Sequence, residues 1–365
     1  MDFHEAPLLV FWESTKACPL ACKHCRANAI LKPLKDELNT DEAKLLIKQI
    51  SEFYPKKPLL IITGGDCLMR VDIFELIEYA NNLKVPISLS PAVSEKLNIN
   101  VLKEIKKLKV HSISVSLDGA KPETHEYLRG VIGSFERTIS VIKTAIEVGL
   151  EIQVNTLVWR NNILELPNIV YLLNKLNVKI WEVFFLILTG RANKDLDIEP
   201  VEYEVVLNFL VDVSTYNIQV RTVEAPFYRR VKLQRISGKE CYHPLYIELK
   251  NKLISLMGKT KNQINPYTLP TRDGYGIIFI SYNGNVYPSG FLPYPLGNIK
   301  NDHIVNIYRN HPILLKMREG AFWGKCGICE YKNICGGSRA RAYAYYNDVL
   351  AEDPACVYNP YNVRQ

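Results

Sequence analysis

No run of apolar residues approaches the ~20 needed to cross a bilayer as a helix. The opening residues, Met1-Asp-Phe-His-Glu5, hold no basic segment followed by a long apolar one. No signal peptide and no membrane partner are therefore expected, and the reading is a soluble, cytoplasmic protein. Low-complexity tracts are missing, as is any repeat beyond a strand–helix rhythm. An even cysteine count is missing too: there are nine, so at least one stays unpaired under any disulfide scheme. They cluster at metal-ligand spacings in a long chain, which points to a reducing compartment and metal rather than a disulfide scaffold. Dense basic runs are scarce. The formal charge is +7, but lysines such as Lys44, Lys48, Lys84 and Lys96 are spread singly. The densest patch, Glu104-Ile-Lys-Lys-Leu-Lys109, reads as a solvated helix face, so no nucleic acid is expected as a partner. An anionic substrate would suit the charge.

What the chain does have is a core and a cysteine motif. At 365 residues and 47% apolar it can bury a sizeable interior. Directly after the strand-like run Leu8–Ser14 comes Cys18-Pro-Leu-Ala-Cys22-Lys-His-Cys25. Three thiolates at this spacing can each ligate one iron of an iron–sulfur cube, leaving a fourth iron open to a substrate or cosubstrate. Zinc is the alternative, and would need a fourth ligand from His24 or from afar.

The rest of the first half alternates. Strand-like Leu59–Ile62, Pro86–Ser90, His111–Leu117, Glu151–Val158 and Trp181–Leu188 are separated by helix-like stretches, the first of them opening on an Asn39/Thr40 cap with Glu42 in its first turn. Six strand–helix steps argue for a parallel sheet that curls, two short of a closed (β/α)8 barrel. After Gly190-Arg191 the rhythm changes: a helix over Glu199–Thr215, then a strand-like run Asn217–Val223. Residues 239–275 read as irregular, a loop over the active site being one reading. A hairpin follows around Asn283-Gly284, from Gly276–Ser281 to Asn285–Tyr287.

Cys18, Cys22 and Cys25, with a ring residue just before the last cysteine, resemble the C-x-x-x-C-x-φ-C signature of radical S-adenosylmethionine (SAM) enzymes. His24 stands where that family often has Phe or Tyr. The resemblance implies an α/β fold, a partial (β/α)6 TIM-like barrel. It also implies a 4Fe–4S cluster with three cysteine ligands, SAM, and a ferredoxin- or flavodoxin-type electron donor. One electron entering the sulfonium would release a 5′-deoxyadenosyl radical that abstracts hydrogen from the substrate.

A second cysteine set, Cys326-Gly-Ile-Cys329, Cys335 and Cys356, offers four thiolates, fitting structural zinc or a complete 4Fe–4S cluster. It resembles the SPASM (twitch-like) extension of peptide- and porphyrin-modifying radical SAM enzymes. Two further cysteines of that extension are replaced here by Ser289 and Arg339. The resemblance then implies one auxiliary 4Fe–4S cluster on the four remaining thiolates. The expected division is a barrel core over 1–195, linking helices over 196–275 and the extension over 276–365. Cys67 and Cys241 read as packed thiols.

Candidate cofactor-binding residues fall at strand ends, where barrel chemistry collects. Gly64, Gly65 and Asp66 end the second strand; in the family this motif meets the amino group and methionine part of SAM. Ser88 and Ser90 end the third, Ser116 and Asp118 the fourth, and Asn155 and Thr156 lie on the fifth. Either serine could equally satisfy local backbone. Arg129 could pair with the SAM carboxylate or with a protein acid. Thr189-Gly190-Arg191 ends the sixth strand, in reach of adenine or substrate.

The whole chain also resembles the haem-biosynthesis and haem d1 branch, in Phe11-Trp-Glu-Ser-Thr15, Gly336-Gly-Ser-Arg-Ala-Arg341-Ala-Tyr and Ala351-Glu-Asp-Pro354. That branch implies a tetrapyrrole substrate and oxidative decarboxylation of its propionates. Arg221, Arg229, Arg230, Arg235, Arg339 and Arg341 are the candidate propionate partners. A maturase acting on a ribosomally made peptide is the alternative, and a non-catalytic zinc or iron–sulfur binding protein a further one.

Overall fold

The computed structural model describes residues 2–267 and 269–360. Ten strands form one sheet: β1 Leu9–Glu13, β2 Leu59–Thr63, β3 Ile87–Leu89, β4 Ser112–Ser116, β5 Ile152–Val158, β6 Ile180–Phe185, β7 Gln219–Val223, β8 Ile277–Ile280, β9 Asn285–Tyr287 and β10 Gly297–Asn298. Their order is β10-β9-β8-β1-β2-β3-β4-β5-β6-β7. From β8 through β1 to β7 every neighbour is parallel, and β9 and β10 add antiparallel edges. β7 and β8 are not hydrogen-bonded to each other, so the parallel sheet curls without closing.

The expected partial barrel is therefore present, but larger. The run read as lying past the barrel supplies β7, parallel to β6 from Ile180↔Gln219 to Phe184↔Val223. The first arm of the hairpin is β8, which pairs with β1 from Leu9↔Ile277 to Trp12↔Ile280. The stretch read as irregular contains a helix, Pro244–Met257, that buries Tyr246, Leu249 and Leu253. It starts at a proline and ends at Gly258, the usual punctuation.

Alternation along the strands sorts the two faces. One face, with Val10, Trp12, Leu60, Ile62, Ile113, Val154, Trp181 and Ile278, is buried against the helices. Each such side chain contributes about 1.5–3 kcal/mol. The helices are set by their own signals: Thr40–Ser51 carries the expected capping box between Asn39 and Glu42 and buries Ala43, Leu46, Ile47 and Ile50. The other strand face lines the inside of the curl. Among the described residues no helix is long and apolar enough to cross a membrane.

Candidate active site

The inner face encloses a cavity of about 740 Å³. Register places Phe279, Phe11, Ile61, Ser88 and Ser112 level across β8, β1, β2, β3 and β4. Two layers on, Ser116, Asn155, Glu182 and Arg221 are level across β4 to β7. All of these line the cavity. Barrel interiors are normally packed solid with branched apolar residues. Here small hydroxyls leave room, giving one apolar wall and one polar wall.

The serines bond in pairs, Ser88 Oγ to Ser112 Oγ at 2.8 Å and Ser90 Oγ to Ser114 Oγ at 2.6 Å. Gln153 Nε2 donates to Asn155 Oδ1 and to Glu182 Oε2, both at 2.9 Å, and Arg221 Nη1 donates to Gln153 Oε1 at 3.0 Å. Burial raises the Glu182 carboxyl above its ordinary value despite Arg221. Ser112, Ser114, Gln153 and Glu182 were not singled out from the sequence. The alternation Ser112-Ile-Ser-Val-Ser116 was the available signal for a polar inner face.

The loop after β1 brings Cys18, Cys22 and Cys25 to the cavity wall. Backbone N–H groups of Leu20 and Ala29 donate to Cys18 Sγ (3.4 Å) and Cys25 Sγ (3.5 Å), and Arg129 Nη1 to Cys22 Sγ (3.8 Å). Burial pushes the Cys18 thiol up to about 12, and Cys22 upward too. Cys18 and Cys22, crowded and desolvated, resist ionisation unless a cationic group shares their charge, while donors aimed at sulfur favour the thiolate. The donor set fits an iron–sulfur group. His24 Nδ1 has no partner among the described residues, and burial brings the ring down to about 3, keeping it neutral.

Gly64 and Gly65 hold that loop. Gly65 N donates to Thr15 O and Asp66 N to Ala17 O, both at 2.7 Å. A Cβ on Gly65 would stand 2.4 Å from Ala17 O, and Gly64 has φ +148° with Thr15 O 2.6 Å from its Cβ position. Gly65→Ala is therefore expected to displace the residue before Cys18. The expected cost is about 1–3 kcal/mol, read as a lower thermal midpoint and less iron bound per chain on reconstitution. Unchanged iron uptake would show that the loop tolerates the shift.

Asp66 departs from the expectation. It does not line the cavity; its carboxylate accepts from Leu68 N (3.1 Å), Ala92 N (3.3 Å) and Ser94 Oγ (2.9 Å), stapling the β2 and β3 loops. Asp118 is likewise committed: it is fully buried, accepting from Leu157 N at 2.8 Å and Arg129 Nε at 2.6 Å. Burial opposes its ionisation, but the Arg129 guanidinium beside it holds the carboxyl below its usual range. Arg129 thus has a protein acid as partner, while also reaching Cys22. Asn155 faces the cavity, but Thr156 turns to the helix side, donating to Leu117 O and accepting from Trp181 Nε1. Gly190 and Arg191 clamp the cysteine loop: Arg191 N donates to Cys25 O at 3.0 Å and its Nε to Cys22 O at 2.9 Å.

Cys326, Cys329, Cys335 and Cys356 line one small second cavity. Gly337 N donates to Cys335 Sγ, Asp353 N to Cys326 Sγ (each 3.4 Å), and Arg339 Nη2 to Cys326 Sγ at 3.7 Å. Arg230 lies on its wall. Among the described residues no three His, Cys, Asp or Glu groups are arranged to hold a single metal ion. Ser289 lies on the wall of the first cavity instead. Cys67 is a fully buried thiol in the core, and Cys241 packs at its edge.

The candidate arginines sort by partner. Arg230 pairs with Glu204 (2.5 Å), Arg235 with Asp212 (2.7 Å) and Arg341 with Asp353 (3.2 Å). Arg339 is buried on the carbonyls of Gly337, Val349 and Ala351. None of the four lines the first cavity, whereas Arg221 and Arg229 do, joined by Lys232 and Arg272.

Comparison with known proteins agrees with this geometry. Residues 12–171 match the radical SAM superfamily. An AdoMet-dependent heme synthase of Methanosarcina barkeri is 35% identical over 357 residues, 97% of this chain and 97% of that one. A mycofactocin maturase of Mycobacterium tuberculosis is 24% identical, covering 97% of this chain and 83% of its own length. Among solved structures, Streptococcus suis SuiB bound to its precursor peptide SuiA superposes with a TM-score of 0.71 at 16% identity, covering 97% of this chain and 76% of that one. The chain belongs to the radical SAM superfamily, enzymes whose chemistry rests on a 4Fe–4S cluster and SAM.

Proposed function

We propose that the enzyme oxidatively decarboxylates propionate side chains of an iron-bound tetrapyrrole, of the iron-coproporphyrin III class, to vinyl groups. The observation that carries this reading is the two-walled cavity beside the cysteine loop. Phe11, Ile61, Phe279 and Phe291 give it an apolar wall for a macrocycle, and Arg221, Arg229 and Lys232 a cationic one for carboxylates. The extent and identity of the match to the haem synthase support it over a peptide substrate.

Cys18, Cys22 and Cys25 would hold the SAM-binding cluster. With cluster and SAM bound, one-electron reduction supplies a 5′-deoxyadenosyl radical. The backbone at Gly64 and Gly65, the hydroxyls of Ser88, Ser90 and Ser116, and the Asn155 amide offer polar contacts to SAM from the strand ends. Asp66, Asp118 and Arg129 act at one remove, fixing the loops that present those groups. Loss of a hydrogen atom from the propionate, then of CO2 and one electron, leaves the alkene. The electron departs to a one-electron acceptor, while a ferredoxin- or flavodoxin-type protein of the cytoplasm supplies the priming electron.

Cys326, Cys329, Cys335 and Cys356 would hold one auxiliary 4Fe–4S cluster. Its anionic charge suits the Arg339 and Arg230 guanidinium groups at the second cavity. We read 1–195 as the catalytic core, 196–275 as linking helices with a segment over the cavity, and 276–365 as the auxiliary extension. β7 and β8 draw these last two into the same sheet.

The test is anaerobic: reduced, reconstituted protein is mixed with SAM and iron-coproporphyrin III, and deoxyadenosine and porphyrin mass are followed together. Loss of CO2 and two hydrogens per side chain, with stoichiometric deoxyadenosine, is expected. Slow deoxyadenosine with unchanged porphyrin would move the substrate to a peptide.

A further inference from the structure

Helix Tyr228–Ile236 follows β7 and presents Arg229 and, three residues on, Lys232 to the cavity. Across from them runs the chain up to Thr271-Arg272. Arg229 Nη2 donates to Thr271 O and Nη1 to Ile334 O at 3.1 Å, and Lys232 Nζ donates to Tyr267 O at 3.1 Å. Arg272 donates to Asn333 O at 3.3 Å, and its buried Nε has no partner among the described residues. Three cations thus gather on one wall, Arg229 and Lys232 on neutral backbone carbonyls and Arg272 also over the Tyr275 ring at 4.7 Å.

Three other guanidinium groups of this region are treated differently. Arg230, Arg235 and Arg341 each have a carboxylate. Among the described residues neither Arg229, Lys232 nor Arg272 makes an ion pair. Nearby acids are engaged elsewhere: Glu224 accepts from Ser338 Oγ, and Asp273 from Arg339 N and Ala340 N at 3.0 Å. Burying a cation without a counter-ion is costly. Burial lowers Lys232 below its ordinary value. Among the described residues the carboxylates of this wall, Glu224 and Asp273, make an ion pair with none of the three.

We propose that Arg229, Lys232 and Arg272 form a carboxylate-binding subsite that anchors one propionate of the substrate. The subsite rests on the tetrapyrrole reading above and adds the residues that hold the ligand. Arg229 offers its remaining guanidinium N–H groups and Lys232 the rest of its ammonium protons, all within the cavity that the cysteine loop borders.

Binding is measured without SAM and without turnover, by absorbance titration of the protein with coproporphyrin III and with its tetramethyl ester. The wild-type chain is expected to bind the tetra-acid at least about tenfold more tightly than the ester. Arg229→Gln and Lys232→Met should each lose about tenfold or more in affinity for the acid and little for the ester, with Arg229→Lys between. In the ligand-free protein the Lys232→Met thermal midpoint should stay level or rise, because an uncompensated buried charge is removed; a merely structural lysine would lower it. Variants that bind the acid as tightly as the wild type would overturn the subsite and leave the tetrapyrrole reading standing. A wild-type chain that binds neither porphyrin would overturn both.

Discussion

Cys22→Ala abolishes reductive cleavage of SAM, bringing deoxyadenosine down to the level of a protein-free control. Cys22 is buried at the cavity wall between Cys18 and Cys25, and its sulfur receives the Arg129 guanidinium at 3.8 Å. Alanine removes one of three thiolates, and the next cysteine in sequence, Cys67, is sealed in the core. A cube held by two thiolates is not retained. Iron per chain should fall by about four, together with the electron paramagnetic resonance signal that SAM perturbs. Cys329→Ala is the counterpart. It should also cost about four iron while the SAM-responsive signal persists, because the two cysteine sets line separate cavities. Deoxyadenosine at wild-type yield from Cys22→Ala would remove the assignment of this loop.

Much of the site was readable locally because its signals are local. The cysteine spacing, the Asn39–Glu42 capping box and the alternating strands each involve residues within a few positions of one another. β8 was not readable in the same way. Its partner β1 lies some 268 residues earlier, from Leu9↔Ile277, and a hairpin signal at Asn283-Gly284 says nothing about what the hairpin's first arm will pair with. The helix Pro244–Met257 was missed although Tyr246, Leu249 and Leu253 follow a helical spacing, because further apolar residues all round it blur the stripe.

The candidate arginines illustrate the other limit. All six carry the same charge, and only the fold shows that Glu204, Asp212 and Asp353 neutralise three of them. Ion-pair partners distant in sequence leave no mark on composition. Asp66 and Asp118 were correctly placed at strand ends, yet strand ends hold two kinds of polar group: those facing the ligand and those holding the loops. Which kind a carboxylate is depends on the N–H groups its neighbours bring, such as Leu157 N to Asp118.

Arg129→Met is expected to destabilise the folded chain by about 3–5 kcal/mol. Asp118 is fully buried, and Arg129 is the cation it is paired with, through Nε at 2.6 Å and Nη2 at 2.5 Å. Methionine fills part of the space but leaves the carboxylate with the Leu157 backbone N–H as its donor. Folding must then either bury an uncompensated charge or protonate it. Proton linkage gives this prediction a signature that simple loss of packing lacks. In the wild-type chain Asp118 is held below its usual range, so its contribution is present at neutral pH and lost as pH falls through that depressed value. In the variant, burial without the cation raises the folded-state value above the unfolded one, so stability returns as pH falls. The gap between the two chains should therefore narrow between about pH 8 and about pH 5. In the wild-type chain His24 and His125, lowered by burial to about 3 and about 4, stay neutral across that interval. Urea unfolding of the ligand-free proteins at both pH values measures it. A gap independent of pH would mean that Arg129 acts through packing alone, and that the Asp118 pair is not what fixes the wall beside Cys22.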